Sequence, residues 1–180
     1  MKSLTHGATL TLLLLLNLLA GALALWSHSD AALAYRLAGK SWIYHRHAYD
    51  HSPLASLLLA RPVSQWDEQG RLQLLSNHDA QFDTELLLAD GSHSSHLRIT
   101  IQGEWQISDG YLVLQSHHYS ALPLDTIARG LLENQGDMLQ QLWLGNFNRS
   151  RRLTLLTPEH LLLQEENRSL WLLTAKPDSS

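Results

Sequence analysis

The chain has 180 residues, a formal net charge of -4, a pI near 6.2 and no cysteine. That balance excludes the clustered basic face of a nucleic-acid binder and a polybasic lipid patch. The lack of cysteine excludes disulfide staples and all thiolate chemistry, and the length accommodates one leader and one domain.

The uncharged run Ala8–Leu25 spans about 27 Å as a helix, close to the hydrocarbon thickness of a bilayer. It is followed by Trp26, a residue type favoured at the headgroup level. We read a signal-anchor over 8–26, with residues 1–7 cytoplasmic and the domain outside the membrane. Ala22-Leu23-Ala24 also fits a small-x-small cleavage site, so a removed signal is the competing reading. Residues 27–40 read as a tether, 41–176 as the domain outside the membrane and 177–180 as a tail.

From Ser41 the texture is β. "SWIYHRHAY" (41–49) is aromatic and branched, "SLLLARPVSQW" (56–66) reads as a strand broken at Pro62, and "DEQG" (67–70) reads as a turn. "RLQLLSN" (71–77) and "QFDTELLLA" (81–89) follow as strands, and "DGSHSS" (90–95) as a loop. Along 97–107 the alternation is strict. Leu97, Ile99, Ile101, Gly103, Trp105 and Ile107 fall on one face, and Arg98, Thr100, Gln102, Glu104 and Gln106 on the other. Asp109-Gly110 is a hairpin turn signal that puts Ile107 opposite Leu112, Trp105 opposite Leu114 and Gly103 opposite Ser116. Tyr111, Val113 and Gln115 then look outward. A helix is expected with Asp137 as N-cap and Gln140 three residues on, ending near Gly145; a start near Leu124 is the alternative, weakened by Gly130 and Gly136. Strands over 150–157, 160–166 and 169–175 close the chain. The fold class is mainly β: a small lipocalin-like antiparallel barrel of eight or nine strands, complete or incomplete, with one late α-helix.

No G-x-S-x-G, H-E-x-x-H, phosphate loop or dinucleotide fingerprint is present, and the reading is of a protein that is not an enzyme. There are 11 histidines. His45 and His47, two apart on a strand, face the same way and form a candidate metal pair; the ordinary reading is exposed polar residues, and no metal or cofactor is assigned. "LLL" at 57–59, 86–88 and 161–163, and "LWLL" at 170–173, are apolar on both strand faces and call for cover by the helix, a ligand or a partner.

The hairpin "GEWQISDGYLVL", the strand "SRRLTLL" with Ser150, Arg151 and Arg152, "HLLLQ", "KSW" and "WDEQGRLQLL" together resemble the ToxS family. The likeness covers essentially the whole chain. Residues 117–136 and the histidine richness depart most. The resemblance implies a non-enzymatic, membrane-anchored periplasmic companion. It would bind and stabilise the periplasmic domain of a ToxR-like transcription factor and touch no nucleic acid itself. By analogy with the related VtrA and VtrC pair, the barrel would help form an apolar chamber for a bile salt or other amphiphile. Ile99, Ile101, Trp105, Leu112 and Leu114 would line it, with Arg98, Arg151 or Arg152 as a cation at its mouth. A stand-alone periplasmic carrier of a lipid or amphiphile is the alternative.

Overall fold

The computed structural model describes residues 3–27, 29–49, 65–89, 93–166 and 169–176, the side chains of 3–10, 27 and 47–49 excepted. Eight strands form one closed antiparallel barrel in which each pairs with the next and the last with the first. They are β1 (Lys40–Tyr49), β2 (Gln65–Leu74), β3 (Asp79–Ala89), β4 (Ser94–Ser108), β5 (Tyr111–Pro123), β6 (Arg151–Thr157), β7 (His160–Gln164) and β8 (Leu170–Ala175). Among the described residues the helices are α1 (Ser3–Ser27), α2 (Asp30–Leu37) and α3 (Thr126–Phe147).

Alternation sets the interior. Trp42 and Tyr44, Leu72 and Leu74, Phe82, Leu86 and Leu88 point inward with the predicted Leu97–Trp105 face and with Leu112 and Leu114. The hairpin register is as expected: Ile107↔Leu112, Trp105↔Leu114 and Gly103↔Ser116. The register shifts between Gln102 and Gly103, a bulge. There a Cβ on Gly103 would run into the Gln115 carbonyl, so glycine is required.

The barrel is unevenly closed. β1 to β5 pair along most of their length, whereas β6–β8 form a shorter meander. The meander meets the long sheet along two narrow seams. β5 pairs with β6 only at Tyr111↔Arg152 and Leu112↔Arg151, and β1 with β8 only at Trp42↔Ala175 and Ile43↔Thr174. One further backbone bond supports each seam, Leu153 N–H to the Gly110 carbonyl and Lys176 N–H to the Ser41 carbonyl. Beyond the seams, Val113–Pro123 on β5, flanked by α3 with Ser116 N–H bonded to the Asn148 side chain, and the part of β1 after Ile43 are not continued by another described strand of the barrel on that side. α3 packs against β4 and β5, and buries Leu139, Trp143 and Phe147 in the core.

Where a tether was expected, residues 30–37 form α2. Ser29 caps it by accepting a bond from Ala32 N–H, and Ala32 and Leu37 are fully buried. The Asp30 carboxylate accepts bonds from the Asp109 and Gly110 N–H groups at 2.7 and 3.0 Å, which ties α2 to the β4–β5 turn. "DEQG" is not a turn but lies within the continuous strand β2. The helix begins at the N-cap Asp125, not at Asp137, and runs past Gly145 to Phe147, with non-helical geometry at Gln135 between two helical stretches. The predicted strand 56–66 lies outside the described residues up to position 64, as do 90–92 of the predicted loop and the tail 177–180.

Among the described residues no single helix is long and apolar enough to cross a membrane; Thr11–Trp26 together with Asp30–Leu37, bent by 64°, passes by length and composition. The Asn17 side-chain amide in α1 donates to the carbonyl of Leu13 one turn earlier.

Candidate functional site

The interior behind α3 is aromatic. The ring of Tyr44 stacks on Phe82 at 5.7 Å and lies 5.2 Å from Trp171, while Phe82 meets Trp143 at 6.2 Å and Phe147 edge-on at 6.1 Å. These rings, with Leu72, Leu114, Leu163 and Leu173, surround a cavity of about 20 Å³, room for one water and no more. The indole N–H groups of Trp143 and Trp171, both at this cavity, are buried and have no hydrogen-bond partner among the described residues.

Two buried acid–base groups flank the rings. Glu68 on β2 accepts bonds from the Tyr44 hydroxyl (2.6 Å) and the Trp66 indole (3.2 Å), with the Arg46 guanidinium 3.6 Å away. The Tyr44 hydroxyl also lies 3.1 Å from Thr84. Burial, then the neighbouring Glu68 charge, push the Tyr44 hydroxyl well above its ordinary pKa, so it stays a proton donor. On the other side Arg151, 3% exposed, pairs with Glu165 at 3.2 Å. It donates to the carbonyls of Asn146, Phe147 and Arg149 and so caps the C-terminal end of α3. Burial lowers its pKa and Glu165 opposes that shift. Arg46 and Arg151 both lie against the ring of Trp171, at 4.6 and 4.9 Å from its centroid.

Of the predicted chamber residues, Ile99, Ile101, Trp105, Leu112 and Leu114 all sit on the interior wall, but only Leu114 borders the cavity. The Trp105 indole donates to the Leu75 carbonyl at 2.9 Å. Of the three arginines expected at a mouth, Arg98 is an exposed partner of Glu85 and Arg152 is exposed, while Arg151 is the buried one. His45 contacts Asp67 at 2.7 Å on the outer face, and the side chain of His47 lies outside the described residues. Among the described residues no group of three or more metal-ligating side chains converges.

Sequence reasoning missed Tyr44, Glu68 and Glu165. Parity was the available signal for Glu68, which shares the inward phase of Gly70, Leu72 and Leu74. Parity also places Arg151 in phase with Leu153. A charged residue in an apolar phase is the mark of a buried, partnered charge.

The outer faces of β7 and β8 carry unburied leucines. Leu162 faces Leu172 across the pair, and Leu170 and Leu172 are exposed, with Ile43 on the adjoining β1. Of the doubly apolar runs foreseen in the sequence, 161–163 and 170–173 leave this apolar patch on the surface, Leu86 and Leu88 are buried, and 57–59 lies outside the described residues.

No curated protein matches the chain. The profile of a family described as "Trans-membrane regulatory protein ToxS" matches residues 26–174. That span holds α2, α3, β1 to β7 and β8 up to Thr174, and the chain belongs to the ToxS family.

Proposed function

We propose that α1 anchors this chain in the cytoplasmic membrane and that its barrel works in the periplasm as a companion of a ToxR-like transcription factor. It binds and stabilises that factor's periplasmic domain and is not a catalyst. The observation that carries this reading is the pair of two-residue seams, with strand edges on β1 and β5 beyond them. An edge strand is a template for another chain, and a partner's strand laid along one completes its hydrogen bonding. The apolar patch of Ile43, Leu162, Leu170 and Leu172 beside the β1–β8 seam adds a surface that burial would stabilise.

A bile salt or similar amphiphile is the ligand we propose for the complex, in a chamber that includes Ile99, Ile101, Trp105, Leu112 and Leu114. Ligand pockets run from ~300 Å³ upward, and the 20 Å³ present beneath Trp143 and Phe147 falls far short. The chamber thus forms only when α3 moves off the rings, which couples ligand uptake to rearrangement beside the partner-binding edges. The filled interior argues against the stand-alone carrier.

The test is light scattering behind size exclusion. The full chain in lipid nanodiscs is mixed with the periplasmic domain of a ToxR-like protein, and a bile salt is then titrated in. A stoichiometric complex, tightened by the bile salt, is expected. A chain that ignores the partner overturns the companion role.

A further inference from the structure

A second opening lies at the other end of the barrel, below α2. It is an open groove of about 730 Å³ whose walls include Tyr35, Arg36, Lys40, Leu156 and Thr157. Tyr35 is 77% exposed and Leu156 54% exposed. No Asp or Glu lines it among the described residues. Lys40 uses one ammonium proton on the Pro158 carbonyl at 2.9 Å, which leaves two for another acceptor. Two cations beside two exposed amphipathic or apolar side chains match an anionic group carried on an acyl chain.

Position identifies that group's source. Ser29, the N-cap of α2, bonds the Trp26 carbonyl through both its backbone N–H and its hydroxyl, so the end of α1 and the start of α2 are tied together. Arg36 therefore lies within roughly 15 Å of Trp26, an exposed tryptophan closing an apolar run, the residue type that settles at headgroup depth. α2 itself is fixed to the barrel by its buried Ala32 and Leu37 and by the Asp30 bonds to the hairpin turn. The groove is thus fixed on the barrel and lies close to the end of α1, about which the tethered domain can still turn.

We propose that this groove seats the headgroup of an anionic phospholipid, with Arg36 and Lys40 on the phosphate and Tyr35 and Leu156 in the interfacial layer, so that the barrel rests on the bilayer in a fixed orientation. This rests on the reading of α1 as a membrane anchor. Two charges are too few to recruit a free protein, but a tethered domain needs only to be oriented.

The absence of cysteine makes the test direct. A single cysteine is introduced at Leu156, or for comparison at exposed Leu122 near the far end of β5, and labelled with a fluorophore in the full chain. The labelled chain is reconstituted in nanodiscs of phosphatidylcholine with or without phosphatidylglycerol, and quenching by a headgroup-labelled lipid is read. We expect strong quenching at Leu156 and none at Leu122. Each basic residue near an anionic surface biases the docked state roughly five-fold, so Arg36→Gln should lower the docked-to-undocked ratio by about that factor. Arg36→Gln with Lys40→Gln, or removal of phosphatidylglycerol, should abolish the difference between the two sites. Arg36→Gln alone leaves the Lys40 bond to Pro158 intact and guards against a fold defect. Equal quenching at both sites, or quenching indifferent to lipid charge and to both substitutions, overturns the proposal. Failure of the chain to enter nanodiscs at all overturns the anchor and the docking with it, whereas loss of partner binding alone leaves the docking result standing.

Discussion

Tyr44 and Gly70 face each other across β1 and β2, and the phenol ring lies where a Gly70 side chain would begin. The ring has no room to retreat, because Phe82 and Trp171 pack on it and Glu68 and Thr84 hold its hydroxyl. Gly70→Ala is therefore expected to cost ~1–3 kcal/mol by overpacking. Urea denaturation measures it, and a neutral result would mean that the ring has another place to go.

Trp105 is buried on the interior wall and its indole N–H is bonded. Trp105→Ala should destabilise the domain by ~3–5 kcal/mol, as other large-to-small core changes do. A loss below about 1 kcal/mol would contradict its placement in the core.

Arg151 and Arg152 are neighbours with opposite fates. Removing the buried one strands Glu165 and uncaps α3, so Arg151→Ala should cost ~3–5 kcal/mol. Arg152→Ala, at an exposed position, should stay within about 0.5 kcal/mol. A double-mutant cycle of Arg151 with Glu165 checks that the loss belongs to the pair.

Alkaline pH should unfold the domain through its tyrosines. Burial raises Tyr119 to about 12 and, with Glu68 adding to the effect, raises Tyr44 well above 10. In this range the folded state holds protons that the unfolded chain releases, so stability is full below the unfolded value of ~10 and falls as pH rises beyond it. Absorbance titration should show Tyr44 and Tyr119 ionising only with loss of structure. Tyr44→Phe should flatten the alkaline fall while lowering stability at neutral pH, since it removes a donor from Glu68.

The β4–β5 hairpin was legible because each residue obeyed one rule: Leu97 to Trp105 alternate, and Asp109-Gly110 turn with positive φ at both positions. β2 hid because its residues answer to distant partners. Asp67, Glu68 and Gly70 are turn formers locally, yet Gly70 makes room for Tyr44 and Glu68 takes its hydroxyl, relationships that exist only once β1 lies alongside. The late helix is expected from the sequence, and the alternative start near Leu124 is within one residue of the N-cap, but the preferred start at Asp137 is wrong for a related reason. Its N-cap Asp125 bonds Ala128 N–H but lacks the Glu or Gln that completes a capping box, while Asp137 and Gln140 imitate one two residues past the break at Gln135. In α2 the sequence "DAALAYRL" is too short to show a period, and its stability comes from burial of Ala32 and Leu37.

The β1–β8 seam also sets an order of events. Trp42 and Ala175 come from opposite ends of the domain, so the ring closes only after the last strand has been made and delivered. Contacts of such long sequence separation form late and slowly. If β1 and the long sheet formed first, the meander would still be undocked at that stage and the β1 edge bare. A companion that grips the edge of β1 during that interval would act on the rate at which the barrel is completed as much as on its final stability.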